Sequence, residues 1–365
     1  MEAASTADSG NPRIGLLRGD GIGHEIVPAT RDVVDAALAA AGAPDVDWIE
    51  LPIGFDAITA HGTPTPESTL AALADLDAWI LGPHDSAAYP EPFASQITPG
   101  GAIRKRFDLY ANIRPACALP GVRAVSPHMD LVIVRENTEG FYADRNMFAG
   151  VGEFMPTPDI AMAVGVVTRP ACERIAHTAF GLALQRRKRV TIVHKANVLS
   201  ATTGLFRDVC REVGRRYPDV TLDDEHVDAM AAHLVRRGDE YDVVVTENMF
   251  GDILSDLAGE LSGSLGTAAS LNASATKAMA QAAHGAAPDI AGRNRANPTA
   301  LILSAAMLLD RLATVGRDHR LADAAARIRS AVERTLAAGI ATADLGGLAS
   351  THAFTETVVA RVHRR

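Results

Sequence analysis

Lysine is scarce in this 365-residue chain: of 35 basic residues only Lys105, Lys188, Lys195 and Lys277 are not arginine. The shortage, alongside abundant alanine, fits genomic base composition, and it makes a well-placed lysine conspicuous. The three cysteines, Cys117, Cys172 and Cys210, are isolated. They form neither a C-x-x-C pair nor a metal cluster, which argues against a disulfide scaffold or zinc module and points to a reducing compartment, the cytoplasm. Positive charge is not in excess: 44 acidic against 35 basic residues leave a formal charge of −9. That balance excludes a general nucleic-acid or anionic-membrane partner. No run approaches the ~20 apolar residues of a membrane span. The opening MEAASTADSGNP has no apolar centre of signal-peptide length and reads as a frayed tail. Fixed-period repeats and low-complexity linkers are absent as well.

What is present is a globular composition, 47% hydrophobic and 22% charged, long enough for one large or two ordinary domains. Short apolar runs bounded by turn residues recur at 14–17, 48–51, 78–81, 131–134, 190–193 and 243–245. They read as buried strands. Between them lie helical patterns such as Val27 to Ala41, stopped by Gly42, and Arg169 to Arg186, with Pro170 suited to a first turn. The alternation predicts an α/β fold with a mostly parallel sheet. Ligands of such sheets gather at the carboxyl ends of the strands. The residues there are Arg18-Gly-Asp20, Gly82-Pro-His84, Arg135-Glu-Asn137, His194-Lys195 and Thr246-Glu-Asn248, polar or charged at nearly every place. The stretch from Gly82 to Gly101, rich in Gly, Pro and Ser, is expected to be a surface loop.

Several clusters carry chemistry. In TENMFGDILSDLAGEL, Asp252 and Asp256 are one helical turn apart, about 40° around the axis. Like charges at that spacing repel, and a divalent cation reverses the sign; a solvated acidic face is the bland alternative. Asp228 in DDEHVDAM reads alone as a surface residue, yet it would complete an oxygen shell for Mg2+ or Mn2+. Arg104, Arg114 and Arg135 either form internal salt bridges or together match a polycarboxylate. Tyr142 in ENTEGFY is a proton donor or a packing residue. Lys195, after the strand RVTIVH, is a base or a lysine reaching solvent. GDGIGHE does not match the G-x-G-x-x-G dinucleotide pattern but suits a turn from strand to helix. HGAAPDIAG allows close backbone approach, and its Asp289 can accept from ribose hydroxyls and repel the extra phosphate of NADP.

Taken in order, GDGIGHE, the two arginines of the YANIRP setting, VRENTEG-x-Y, HKANVL, TENMFGDILSDLAG and HGAAPDIAGRNRANPTA form a collinear set. That set resembles the isocitrate/isopropylmalate dehydrogenase family of β-decarboxylating dehydrogenases, from about Ile14 to Val362, with DLGG at 344–347 in the manner of its NAD-using branch. The resemblance implies two α/β domains with the active site in the cleft between them. Residues 1–109 with 264–365 would form a large cofactor-binding domain, and 110–263 a smaller inserted domain carrying the dimer contact. Arg104, Arg114 and Arg135 would clamp the substrate carboxylates. Asp228, Asp252 and Asp256 would hold Mg2+ or Mn2+, Lys195 would take the alcohol proton, and Tyr142 would return a proton after loss of CO2. Lys195 and Asp228 would cross from the neighbouring subunit of a homodimer. His284, Gly285, Ala286, Ala287, Asp289 and Asn297 would bind the adenosine part of NAD, and Asn197 its nicotinamide end.

The chain departs from that pattern where specificity is set. Isopropylmalate enzymes carry a leucine pair before the first clamp arginine; here Thr98-Pro99-Gly100-Gly101-Ala102-Ile103 precedes Arg104. Two glycines cannot form that apolar wall, whereas Thr98 offers a hydroxyl like the serine of isocitrate enzymes. Gln281 stands where isopropylmalate enzymes carry a glutamate, and SLNASATKAMAQ departs from the common cofactor loop. The expected activity is NAD-dependent oxidative decarboxylation of a 3-substituted malate, isocitrate leading. Isopropylmalate, homoisocitrate, D-malate, tartrate and a phosphonate analogue are the alternatives. A non-catalytic regulatory homologue and an NAD-independent metal lyase are rivals of other classes, disfavoured by the intact residue set.

Overall fold

Aliphatic runs too apolar to face water pair into one long sheet, and the alanine- and leucine-rich segments between them fold into helices that cover it. The computed structural model describes residues 11–142, 147–148 and 150–363. The first half of the chain contains β1 (Arg13–Leu17), α1 (Gly23–Ala41), β2 (Asp47–Glu50), α2 (Phe55–His61), α3 (Glu67–Ala74), β3 (Ala78–Leu81), α4 (Pro99–Arg106), β4 (Ala111–Cys117), β5 (Asp130–Glu136), the strands β6 (Glu153–Thr157) and β7 (Ile160–Ala163), and α5 (Arg169–Leu184). There follow β8 (Arg189–His194), α6 (Thr202–Gly214), β9 (Thr221–His226), α7 (Val227–Arg237), β10 (Val243–Thr246), α8 (Asn248–Ser262), β11 (Leu271–Ala273), β12 (Ala278–Ala280), α9 (Thr299–Gly316), α10 (His319–Ala337) and α11 (Thr351–Val362).

Ten strands form one sheet in the order β2-β1-β3-β12-β11-β4-β5-β10-β8-β9. Six of the nine pairings, those of the two flanks, are parallel, in keeping with the expectation of a mostly parallel sheet, while β12–β11, β11–β4 and β4–β5 run antiparallel at the centre. The cause is local: β11 turns directly into β12, with Ser274 N donating to Lys277 O at 2.9 Å, and no helix intervenes to bring the chain back parallel. The three-residue strands LNA and AMA are too short to register as apolar runs. β9, TLDDEH, is equally hidden by its charges. β6 and β7 pair as a separate antiparallel hairpin whose residues are all exposed.

The buried core divides along the chain. Clusters around Ile26, Leu301 and Phe354 and around Trp79 and Leu109 draw their buried members from 14–109 and 271–362. Clusters around Phe180 and Phe206 and around Leu131 and Met230 draw theirs from 111–261. α9 is long and apolar enough to cross a membrane by length and composition, although Asp310 and Arg311 interrupt its apolar run. It packs against α10, α1 and β12, as a core helix does.

The GDGIGHE segment makes the sharp turn from β1 into α1. Gly19 and Gly21 adopt φ of 68° and 53°, and a Cβ on Gly21 would lie 2.1 Å from the Ala286 carbonyl oxygen. Only glycine fits. The 82–101 stretch is less of an open loop than expected. It ends inside α4, where Pro99, Gly100 and Gly101 are buried. Thr98 caps that helix, its hydroxyl accepting from Gly101 N at 3.1 Å. α5 opens likewise with Thr168 as cap and Pro170 in the first turn.

Candidate active site

At the centre of the sheet, β4 and β5 carry Arg114 and Arg135, and α8 presents Asp252 and Asp256 to them. Arg135, 1% exposed, donates to Asn248 Oδ1 from Nε at 2.9 Å and from its second terminal nitrogen at 2.6 Å. Its first terminal nitrogen pairs with Asp252. Arg114 donates to Asn112 Oδ1 at 2.7 Å, to Ser255 Oγ at 2.7 Å and to Asp256 Oδ1 at 3.1 Å, and lies 3.2 Å from Asp252 Oδ1. Tyr142 donates its hydroxyl to Asp252 Oδ2 at 2.5 Å, its ring 5.4 Å from the Arg135 guanidinium carbon. Burial pushes the Asp252 carboxyl up, but Arg135, Arg114 and the Tyr142 hydroxyl outweigh it and hold it below the ordinary carboxylate value. Asp256 goes the other way, raised by burial and by the charge of Asp252 against the pull of Arg114. Two carboxylates one helical turn apart are thereby made unequal.

Asn112, Asn248 and Ser255 steer the guanidinium groups; Asn112 and Ser255 escaped the sequence reading, which placed Asn248 only among the polar residues beyond a strand. Asn248 opens α8 and Ser255 shares the helix face of Asp252, but neither amide nor hydroxyl reveals a role without its partner. Arg114 and Arg135 satisfy the salt-bridge reading, since each is ion-paired within the chain.

Arg104 sits apart from that pair. It donates to Gln281 Oε1 at 2.7 Å, while its charge still contributes to lowering Asp252. Thr98, six residues earlier, is spent partly on capping. Below them, the loop after β3 is anchored by Asp20, 2% exposed. Its carboxylate accepts from Phe55 N at 2.8 Å, Asp85 N at 3.0 Å and the Tyr89 hydroxyl at 2.6 Å. Burial and that bond raise the Tyr89 pKa well above the phenolic value.

Lys195 and Asp228 are elsewhere. The lysine, just beyond β8, pairs with Asp228 in the first turn of α7, and the ammonium hydrogen bond lowers the aspartate. Among the described residues no three His, Cys, Asp or Glu side chains are close enough to hold a metal ion. Asp228 therefore does not join Asp252 and Asp256 within one chain. Two oxygen donors from one helix, one kept ionised, still fit a hard cation that completes its shell with substrate and water. Asn197 is exposed on the loop after Lys195.

A cavity of about 490 Å3 is lined by Ile22, Gly266, His284, Ala287, Asn297 and Asp344, among others. Asn297 donates to Asp344 Oδ2 at 2.9 Å and accepts from Thr299 N at 3.0 Å, so its side chain is fixed. Asp344 also accepts from the Thr342 hydroxyl at 2.6 Å. His284 keeps Nδ1 3.0 Å from the Gly285 carbonyl oxygen, and its buried Nε2 has no partner. Burial lowers its pKa, leaving a neutral ring poised for a ligand. Gly285 lines the cavity too. Ala286 instead is buried and accepts from Ile22 N at 2.9 Å. Asp289 is exposed, between the cavity-lining Ala287 and Ile290. An apolar slot with a neutral imidazole, a fixed amide and a carboxylate suits a nucleoside.

An arginine–carboxylate centre with an adjacent tyrosine, together with a nucleoside-sized cavity, defines a dehydrogenase of small carboxylic acids. The chain belongs to the isocitrate/isopropylmalate dehydrogenase family, whose model matches residues 13–359. It is 44% identical over 353 residues, 95% of this chain and 97% of the other, to the isocitrate/homoisocitrate dehydrogenase of Thermus thermophilus. To the 3-isopropylmalate/3-methylmalate dehydrogenase of Methanocaldococcus jannaschii it is 40% identical, covering 96% and 98% of the two chains. The crystal structure of isocitrate dehydrogenase from Methylococcus capsulatus superposes with a TM-score of 0.85 at 38% identity, over 97% of this chain and all of that one. The fold is thus the two-domain α/β fold of that family. The activity is oxidative decarboxylation of a hydroxy acid, by a dehydrogenase acting on a CH–OH group of a small hydroxy polycarboxylate.

Proposed function

We propose that this protein is an NAD-dependent, Mg2+- or Mn2+-dependent dehydrogenase of a 3-substituted malate whose substituent ends in an acidic group, as in isocitrate or homoisocitrate. The supporting observation is the wall in front of Arg104. Gly100 brings no side chain of its own, and the groups it faces, His84 and Gln281, with Arg104 bonded to Gln281, are polar, while Ile97 lies only against the neighbouring Gly101. An isopropyl group would desolvate those polar groups without pairing them, whereas an acidic terminus pairs with them. The Thermus thermophilus relative's name gives isocitrate and homoisocitrate, in the same direction.

Arg114, Arg135 and Arg104 hold the substrate carboxylates, releasing Asp252 and Asp256 from the ion pairs they otherwise occupy. Lys195 Nζ takes the proton of the substrate alcohol. Tyr142 hands a proton to the carbon left by CO2, its hydroxyl already aligned by Asp252. When bound at the aspartates and in the cavity, the cation supplies Lewis-acid polarisation and the nicotinamide accepts the two electrons of the alcohol. Asp289, a carboxylate beside the nucleoside cavity, disfavours the 2′-phosphate of NADP.

The active unit is a homodimer. Lys195 and Asp228 bind each other rather than their own chain's Asp252, and apolar residues are left outside: Phe154, Met155, Ile160 and Met162 on the hairpin, Ile253 beside the aspartates. A partner chain covers such surface and delivers the missing pair. The division of cores supports domains of 1–109 with 264–365 and of 110–263, and the unpaired cysteines support a cytoplasmic location. The experiment is a panel: initial rates of NAD reduction with Mn2+ on isocitrate, homoisocitrate, isopropylmalate, D-malate, tartrate and a phosphonate analogue. Preference for an acidic substituent supports the proposal; preference for isopropylmalate refutes it.

A further inference from the structure

His84 stands at the carboxyl end of β3, two residues after Gly82, in the loop that Asp20 anchors. Both its ring nitrogens are sealed from solvent, and neither has a hydrogen-bond partner. A buried imidazole without partners forfeits its hydrogen bonds to water and regains nothing inside the protein, so a native fold retains it only where something else supplies the partner. The surroundings show where that partner enters. A Cβ on Gly100 would lie 3.5 Å from His84 Nε2 and 3.3 Å from Gln281 Nε2, so imidazole and amide converge on the first turn of α4 at Gly100, which has no side chain of its own. Gln281 leans the other way on Arg104, through Oε1 at 2.7 Å, and Arg104 lies within electrostatic reach of both His84 and Asp252. His84, Gln281 and Arg104 thus form a polar row running from β3 toward the arginine–aspartate centre.

We propose that His84 is a specificity-determining residue, its imidazole N–H donating to the terminal carboxylate of the substrate's C3 substituent, which approaches beside Gly100, where α4 carries no side chain. This deepens the function proposed above and rests on it. Burial, with the charge of Arg104 adding to it against that of Asp20, depresses the imidazole to about 4. The ring is therefore neutral at physiological pH and acts as a hydrogen-bond donor, with Arg104 supplying the charge. Neutral imidazole donates from one nitrogen only, so its other nitrogen is left to accept from water or an amide.

The test compares wild type with His84→Leu, which keeps bulk but removes both nitrogens, and His84→Asn, which keeps a donor. Folding of each is checked by circular dichroism and melting. With Mn2+ and NAD, kcat/KM is measured for isocitrate and isopropylmalate, and binding of both acids is measured separately by calorimetry. In His84→Leu the isocitrate-to-isopropylmalate ratio of kcat/KM falls by at least about tenfold, mainly through KM for the acid. KM for NAD stays the same, and His84→Asn recovers part of the loss. A ratio that does not move, or a loss seen only in KM for NAD, overturns the assignment. If wild type binds isocitrate more tightly than isopropylmalate but oxidises neither, the function proposal fails while loss of that binding preference in His84→Leu upholds the role of His84. Wild type that binds neither acid overturns both.

Discussion

Tyr142 donates its phenolic hydroxyl to Asp252 at 2.5 Å, and the same carboxylate is shared by the buried guanidinium groups of Arg114 and Arg135. One aspartate thereby orients the Tyr142 hydroxyl and both arginines of the buried centre. Tyr142→Phe removes only the donated proton. Turnover should fall by about 10²–10⁴, the range of a lost general acid, while the melting temperature and KM for the acid change little. Steady-state kinetics with a melting curve checks this, and near-normal kcat would remove Tyr142 from the chemistry.

The pairing of Lys195 with Asp228, away from the remaining site residues, predicts complementation. Lys195→Ala and Tyr142→Phe should each be nearly inactive alone. Refolded together, half of the dimers are mixed, and each mixed dimer holds one site with both wild-type residues, so activity should return to about a quarter of wild type. If lysine and tyrosine of the same chain served one site, mixing would restore nothing.

Glu247, at the start of α8, is pushed up to about 7 by burial and by the nearby Glu136, against the amides of Met249 and Phe250 and the charge of Arg135. Its folded pKa lies above the unfolded one, so the native state binds the extra proton. Stability therefore rises as pH falls from above 7 toward the ordinary carboxylate range. At about 1.4 kcal/mol per unit the effect is at most ~3 kcal/mol. Glu247→Gln should flatten that rise in urea midpoints taken between pH 5 and 8; an unchanged slope would assign the pH dependence to other groups.

Cofactor choice is argued from Asp289 and Ile290 at the nucleoside cavity. Replacing them together, Asp289→Lys with Ile290→Tyr, should shift the NADP-to-NAD ratio of kcat/KM toward NADP by at least about tenfold. Competition assays with the two nucleotides measure it directly. No shift would mean that the ribose is read by other residues, Asp344 first among them.

Much of this was legible beforehand because charge and spacing are sequence properties. Asp252 and Asp256 fall on one helix face, Arg135 ends a buried strand, and HGAAPDIAG lines the nucleoside cavity as its small residues allow. The antiparallel centre was not legible, since β11 and β12 are three residues each and β4 contains Arg114 and Pro115. Nor were the groups whose meaning is relational. Asn248, Ser255 and Asp20 matter for what they hold, and His84 for what it lacks. Each depends on contacts across 35 or more positions, or on burial that no local pattern encodes.

In the proposed reaction, oxidation and decarboxylation occur together on a malate bearing an acidic C3 substituent. The direct measurement follows NADH and CO2 in one reaction of the purified protein with isocitrate, NAD and Mn2+, beside a control with excess chelator. One CO2 should appear for each NADH, and both should be lost in the control. NADH without CO2, or no turnover of isocitrate or homoisocitrate where isopropylmalate is oxidised, would contradict the proposed reaction.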